Sequence, residues 1–177
     1  ALFGWISGLD LDGDLSPENF YYSYIVFQQK IKELTPTGKI TIRELFTIKD
    51  DVVLIDDLFK QACDISGIWK WIEKRRSDTY LDEYINEGIS GGEKARLCLA
   101  MKVYDLLVSL SNGETKVLVL DEAEQGSDPP LAYEVLYNIF NEFPNTTVIV
   151  VSHLERIHEE FRWDMKLMVN DGMVTMV

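Results

Sequence analysis

Three short clusters in this 177-residue chain combine residue types that can handle a phosphate, a metal ion and an activated water. The first is Ile89-Ser90-Gly91-Gly92-Glu93, followed by a helix-compatible run over residues 94–110. Adjacent glycines let the backbone approach a ligand without Cβ obstruction. A helix N-terminus offers free N–H groups and a positive dipole end to an anion, so Ser90 opens a phosphate site. The second is the apolar run Val117-Leu118-Val119-Leu120, which ends in Asp121-Glu122. Ligands bind at the carboxyl ends of strands in open α/β sheets. Adjacent acids there point to opposite sides of the backbone, so one can hold a metal ion while the other orients a nucleophilic water. The third is Val148-Ile149-Val150-Val151, ending in Ser152-His153. It brings an imidazole to the same sheet edge, where it can donate to a terminal phosphate or anchor the water-orienting acid.

Plainer roles are open to the same residues. Two acids can simply end a strand at the solvent edge, and a histidine after a strand can be structural. Gln28 ends the first strand, where its side-chain carbonyl can reach a metal or water, or merely mark the chain leaving the sheet. The turn Gln125-Gly126-Ser127-Asp128-Pro129-Pro130 is a helix entry, with Asp128 as cap and proline in the first positions. His158 falls on a solvated helical face with Glu159 and Glu160.

The elements that must position these clusters follow from periodicity. Residues 1–8 suit a short apolar helix, with an acidic loop to Pro17, and residues 21–27, rich in aromatic and β-branched types, suit a strand. From 41 to 84 the pattern is helical. Thr41-Ile42-Arg43-Glu44 is a capping box, apolar positions recur at Val53, Ile55, Leu58, Phe59 and Ala62, and Ser66-Gly67 separates that helix from 68–74. The helix after Ser90 ends at Ser111-Asn112-Gly113. Strand 117–120, helix 131–140, strand 147–151, helix 154–161 and strand 165–169 then alternate, and the turn Asn170-Asp171-Gly172 leads to 173–177. Continuous apolar strands fit a parallel sheet covered on both faces. The expected fold class is α/β, a mainly parallel sheet flanked by helices.

With 46% hydrophobic residues the chain can bury one principal core. A net charge of -13 repels phosphodiester backbones, and no nucleic-acid partner is expected. Cys63 and Cys98 sit in apolar helical patterns without metal-ligand spacing, as buried thiols in a reducing, cytoplasmic setting would. No apolar stretch approaches the roughly 20 residues that span a bilayer.

Strand-Gln28, helices, Ser90-Gly91-Gly92-Glu93, strand-Asp121-Glu122, the Asp128-Pro129 turn and strand-Ser152-His153 follow one another in an order that resembles the nucleotide-binding domain of ABC-type ATPases. The likeness runs from the Q-loop through the signature motif, Walker B strand and D-loop to the switch histidine, and the segment at Thr41 looks exporter-like. It implies a P-loop NTPase fold with residues 1–28 and 111–177 as the α/β core and 29–110 as an inserted helical subdomain. It also implies ATP and Mg2+, with Gln28 and Asp121 attending the metal, Glu122 as catalytic base and His153 on the γ-phosphate. Ser90, Gly91, Gly92 and Glu93 would serve ATP held by a second ABC nucleotide-binding domain, homo- or heterodimeric, with Asp128 at that interface and a membrane domain preceding this chain. Isoleucine and glutamate replace the family's usual leucine and glutamine around Ser90-Gly91-Gly92, and residues 124–127 depart from the usual D-loop.

The family's Gly-x-x-x-x-Gly-Lys-Ser/Thr loop is absent from the sequence. The helix at Ala1 matches the segment just after it, so the chain is expected to be the C-terminal portion of the domain, closing at the hairpin before Val177 and inactive alone. A cloned or ordered part, a cleaved product and a naturally reduced module all fit that expectation. A non-catalytic interaction or structural module, and a non-transport ABC ATPase, are the alternative functions.

Overall fold

The computed structural model describes residues 24–27 as backbone, and 41–47, 53–74, 80–82, 84, 89–114, 116–123 and 128–177 in full. The elements expected at 1–8 and 10–17 lie outside these residues. In chain order the elements are β1 (Tyr24–Phe27), α1 (Ile42–Thr47), α2 (Asp56–Ile65), α3 (Trp69–Lys74), a 3-10 turn (Tyr80–Asp82) and α4 (Gly91–Ser111). Then follow β2 (Val117–Asp121), α5 (Pro129–Glu142), β3 (Val148–Val151), α6 (Glu155–Glu160), β4 (Leu167–Asn170) and β5 (Met173–Met176).

Strands β1, β2 and β3 form a parallel sheet in that spatial order, with Phe27 level with Leu120 and Asp121 level with Val151. All three strands therefore run out at one edge. Leu118, Val119 and Leu120 are fully buried, as expected of a strand covered on both faces, whereas β3 is half-buried along its length.

Helix α4 is the core of the described structure. Leu97, Cys98, Leu99, Ala100, Val103, Tyr104 and Leu106 bury most of its circumference. It starts at a reciprocal capping box and stops at Gly113, φ +77°, where Gly113 N–H donates to Leu110 O and Glu114 N–H to Ser109 O. Glycine takes that left-handed residue without a Cβ penalty. Helix α2 ends the same way at Gly67, φ +68°, with Gly67 N–H to Asp64 O and Ile68 N–H to Cys63 O.

Helices α1 and α2 lie against α4 through an aromatic cluster: Phe46 meets Phe59 at 4.8 Å and Tyr104 at 5.6 Å between ring centroids, both edge-on. The Thr41 capping box forms, with Thr41 N–H donating to Glu44 Oε2 at 2.8 Å and Glu44 N–H to Thr41 Oγ1 at 3.1 Å.

Three expectations are corrected. Val53 and Ile55 are 85% and 42% exposed. The helical spacing overran the start of α2, because Ile55 is its N-cap in extended backbone, φ -88° and ψ 104°, and its N–H donates to Tyr104 Oη. The strand expected at 165–169 forms at 167–170, so Asn170, expected in the turn, is the last residue of β4; the expected hairpin to β5 is closed by the two-residue loop Asp171-Gly172, both at positive φ. Asp128 is the N-cap of α5, but its side chain makes no capping hydrogen bond; Pro129 and Pro130 at the first positions set the helix direction instead.

Candidate functional site

At the edge where β2 and β3 end, His153 Nε2 lies 2.8 Å from Glu122 Oε1, as the common strand edge predicts. An ionised carboxylate only accepts, so the imidazole donates from Nε2. The Glu122 side chain is 33% exposed and that of His153 82% exposed, a pair at the mouth of the sheet where solvent or substrate reaches both. Asp121 sits beside them as the last residue of β2.

The turn at Glu122 was not visible in the sequence. Its N–H continues the ladder to Val151 O at 2.9 Å, but its φ is +49°, the left-handed region that a non-glycine residue seldom occupies. Strand alternation thus stops at Asp121, and the tertiary turn rather than the pleat aims the Glu122 carboxylate. A left-handed residue of this kind stores about 1–3 kcal/mol and is found where surrounding structure overrides local preference, above all at functional sites.

The glycine motif heads α4. Ser90 Oγ accepts from Glu93 N–H at 3.3 Å, and Glu93 Oε2 accepts from Ser90 N–H at 2.8 Å. An accepting hydroxyl keeps its own hydrogen to donate. Ser90 and Gly91 are exposed, and a Cβ built on Gly91 would meet nothing within 4 Å. The open approach that a phosphate needs is therefore present. Ala95, Arg96 and Leu99 of α4 line a small cavity together with Ala123 and with Ala132, Val135 and Leu136 of α5. The first turns of α4 thus lie beside the residue that follows Glu122.

Gln28 lies outside the described residues; the residue before it, Phe27, pairs with Leu120, one residue short of Asp121. Asp128 is exposed at the head of α5. Among the described residues no three His, Cys, Asp or Glu side chains converge on a metal position, and no helix is long and apolar enough to cross a membrane. Cys63 and Cys98 are buried thiols, as expected. His158 is exposed but not merely solvated: its Nε2 lies 2.8 Å from Ser152 O, a contact with no local signature in residues 152–158.

No family model matches the sequence. Over 89 residues, half of this chain, it is 34% identical to the mycobactin import ATP-binding/permease protein IrtA of Mycobacterium tuberculosis. Over 105 residues it is 32% identical to IrtA of Mycolicibacterium thermoresistibile. These matches span only 9% and 10% of the two relatives. The fold is similar to that of a bacterial Atm1-family ABC exporter with ATP bound, with a TM-score of 0.63 and 17% identity, over 89% of this chain and 25% of the exporter chain. Sequence relatives that are ABC ATP-binding/permease proteins and a fold shared with an ABC exporter together support an ABC-type domain for this chain.

Proposed function

We propose that this chain is the C-terminal portion of the ATP-binding domain of an ABC-type transporter, working at the cytoplasmic face of a membrane through ATP-driven closure of two such domains. The 2.8 Å contact between His153 and Glu122, on the edge shared by adjacent parallel strands, carries the reading.

In this scheme Glu122 is the general base. Its carboxylate orients a water and takes its proton as the water oxygen attacks the γ-phosphorus of ATP, while the bond to the leaving phosphate oxygen breaks in line. His153 fixes the carboxylate through its Nε2–H and, exposed beside it, contacts the γ-phosphate. Asp121 and Gln28 are the residues that would attend the magnesium ion. One carboxylate at the edge suits Mg2+, which is commonly held by one or two carboxylates together with waters and substrate phosphates. When bound, the ion neutralises charge on the phosphates.

Ser90, Gly91 and Gly92 bind the γ-phosphate of ATP on a second nucleotide-binding domain, through the open N-terminus of α4 and the Ser90 hydroxyl, and Glu93 serves that site by closing the capping box on Ser90. Asp128 stands at that interface, and residues 29–110 form the inserted helical subdomain. The phosphate loop that completes the site is supplied by another part of the polypeptide.

The test is ATP turnover by the polypeptide that carries this chain together with its phosphate loop. Glu122→Gln is expected to lower the rate about 10² to 10⁴-fold; unchanged turnover rejects Glu122 as the base. The 177-residue chain by itself is expected to hydrolyse no ATP.

A further inference from the structure

We infer that His158 is a positioning residue for His153, acting through the carbonyl of Ser152; this rests on Glu122 and His153 working as a pair. The His153 side chain is largely exposed, so the backbone of its turn bears on where its ring lies. It reaches Glu122 from a three-residue turn between β3 and α6, where two hydrogen bonds fall on Ser152. Leu154 N–H donates to Ser152 Oγ at 3.0 Å, a local serine turn. From the last turn of α6, His158 Nε2 comes back to Ser152 O at 2.8 Å. A carbonyl can only accept, so His158 carries its proton on Nε2 and donates. The peptide plane it holds is the one joining Ser152 to His153, and rotation of that plane swings the His153 Cα–Cβ bond away from Glu122.

The other end of the contact is anchored. A six-residue helix is too short to persist without tertiary support. α6 is pinned by buried Ile157, by Trp163 Nε1 donating to Ile157 O at 3.1 Å, and by Phe161, whose ring lies 4.7 Å from Tyr133 and 5.2 Å from Phe140 of α5. The chain of support runs from α5 to α6, through His158 to the Ser152 carbonyl, and so to the His153 ring.

The chain has two histidines, at 153 and 158, so imidazole 15N NMR of the 177-residue chain resolves His153 after one assignment variant. Glu122→Gln in the otherwise native chain is expected to shift the His153 ring signals. In a His158→Phe background the same change is expected to leave them where they are. In His158→Gln, whose side-chain amide can donate to Ser152 O, most of the response is expected to return. His158 is exposed, so these replacements leave the core intact. A full response in His158→Phe, or a response lost equally in His158→Gln, overturns the positioning role alone. A His153 ring indifferent to Glu122→Gln in the native background overturns the Glu122 contact itself, and the positioning role with it.

Discussion

The bare α-carbon of Gly67 rests against Leu131: a Cβ there would lie 3.3 Å from Leu131 Cδ1, with Val135 Cγ2 at 3.5 Å. The turn between α2 and α3 is thereby seated on the early turns of α5, the helix headed by Asp128. Asn138 Nδ2 donates to Ile65 O at 3.3 Å and Gln61 Nε2 to Glu142 Oε2 at 3.4 Å along the same seam. The helical layer carrying Ser90 and the helix following the acidic strand are thus tied at a point where a side chain would crowd Leu131.

Gly67→Ala should therefore destabilise the chain on two counts. The residue sits at φ +68°, where an L side chain costs about 1–2 kcal/mol, and the new methyl must push Leu131 aside. A loss of roughly 2 kcal/mol is expected, seen as a lower urea midpoint at unchanged slope. A midpoint equal to that of the native chain would show that the turn can relax away from α5.

At the head of α4, the two halves of the capping box separate a stabilising role from a ligand-binding one. Ser90→Ala removes the acceptor for Glu93 N–H and should cost about 1 kcal/mol in urea unfolding. Glu93→Gln keeps a side chain that closes the box and should leave stability within about 0.5 kcal/mol of native. Equal losses in both variants would mean that the glutamate charge at the helix terminus, rather than the hydrogen-bonded box, supports the start of α4.

How much of this was legible beforehand depended on how local each feature is. The Thr41–Glu44 box, the ends of α4 and the Asp171-Gly172 hairpin are decided within a few residues, and the sequence shows them. The edge that joins Asp121 and Glu122 to His153 was legible because β2 and β3 are apolar runs that stop at those residues. The left-handed turn at Glu122 was not, since nothing in Asp121-Glu122-Ala123 asks for positive φ; the demand comes from the packed strands. Val53 and Ile55 misled because apolar residues before a helix continue its spacing by chance. The His158–Ser152 contact needs the position of α6 on α5, which six residues of local sequence cannot specify.

The two thiols give a prediction about reactivity and pH. Burial pushes the Cys98 thiol up from 9.0 to about 11, against the opposing pull of Lys102, and burial with the Asp64 charge raises Cys63 further. At pH 8 a shift of that size leaves Cys98 with a roughly hundredfold smaller thiolate fraction than a free thiol. Iodoacetamide should therefore label neither cysteine in the native chain at pH 8 and both in urea. Because the folded state holds these protons more tightly, their contribution to stability is complete below about pH 9 and falls as pH rises toward 11. Rapid native labelling of Cys98 would show that α4 opens locally around it.

The backbone at Glu122 sets stability against chemistry at one position. Its φ of +49° is tolerated far better by asparagine than by a β-branched residue, since a short amide side chain reaches left-handed backbone without the steric conflict that a branched Cβ meets. Removing the exposed contact with His153 costs about 0–1 kcal/mol, comparable with the strain that asparagine relieves. Glu122→Asn should therefore be as stable as the native chain in urea unfolding, or more so by up to about 1 kcal/mol, while ATP turnover of the polypeptide with its phosphate loop falls about 10² to 10⁴-fold. Glu122→Val loses the same chemistry and should unfold about 1–2 kcal/mol sooner, because a branched Cβ is strained at this left-handed backbone. If asparagine and valine variants unfold at the same midpoint, the left-handed turn is not what holds the carboxylate against His153. If they separate as expected, the strain is maintained for the placement of that carboxylate.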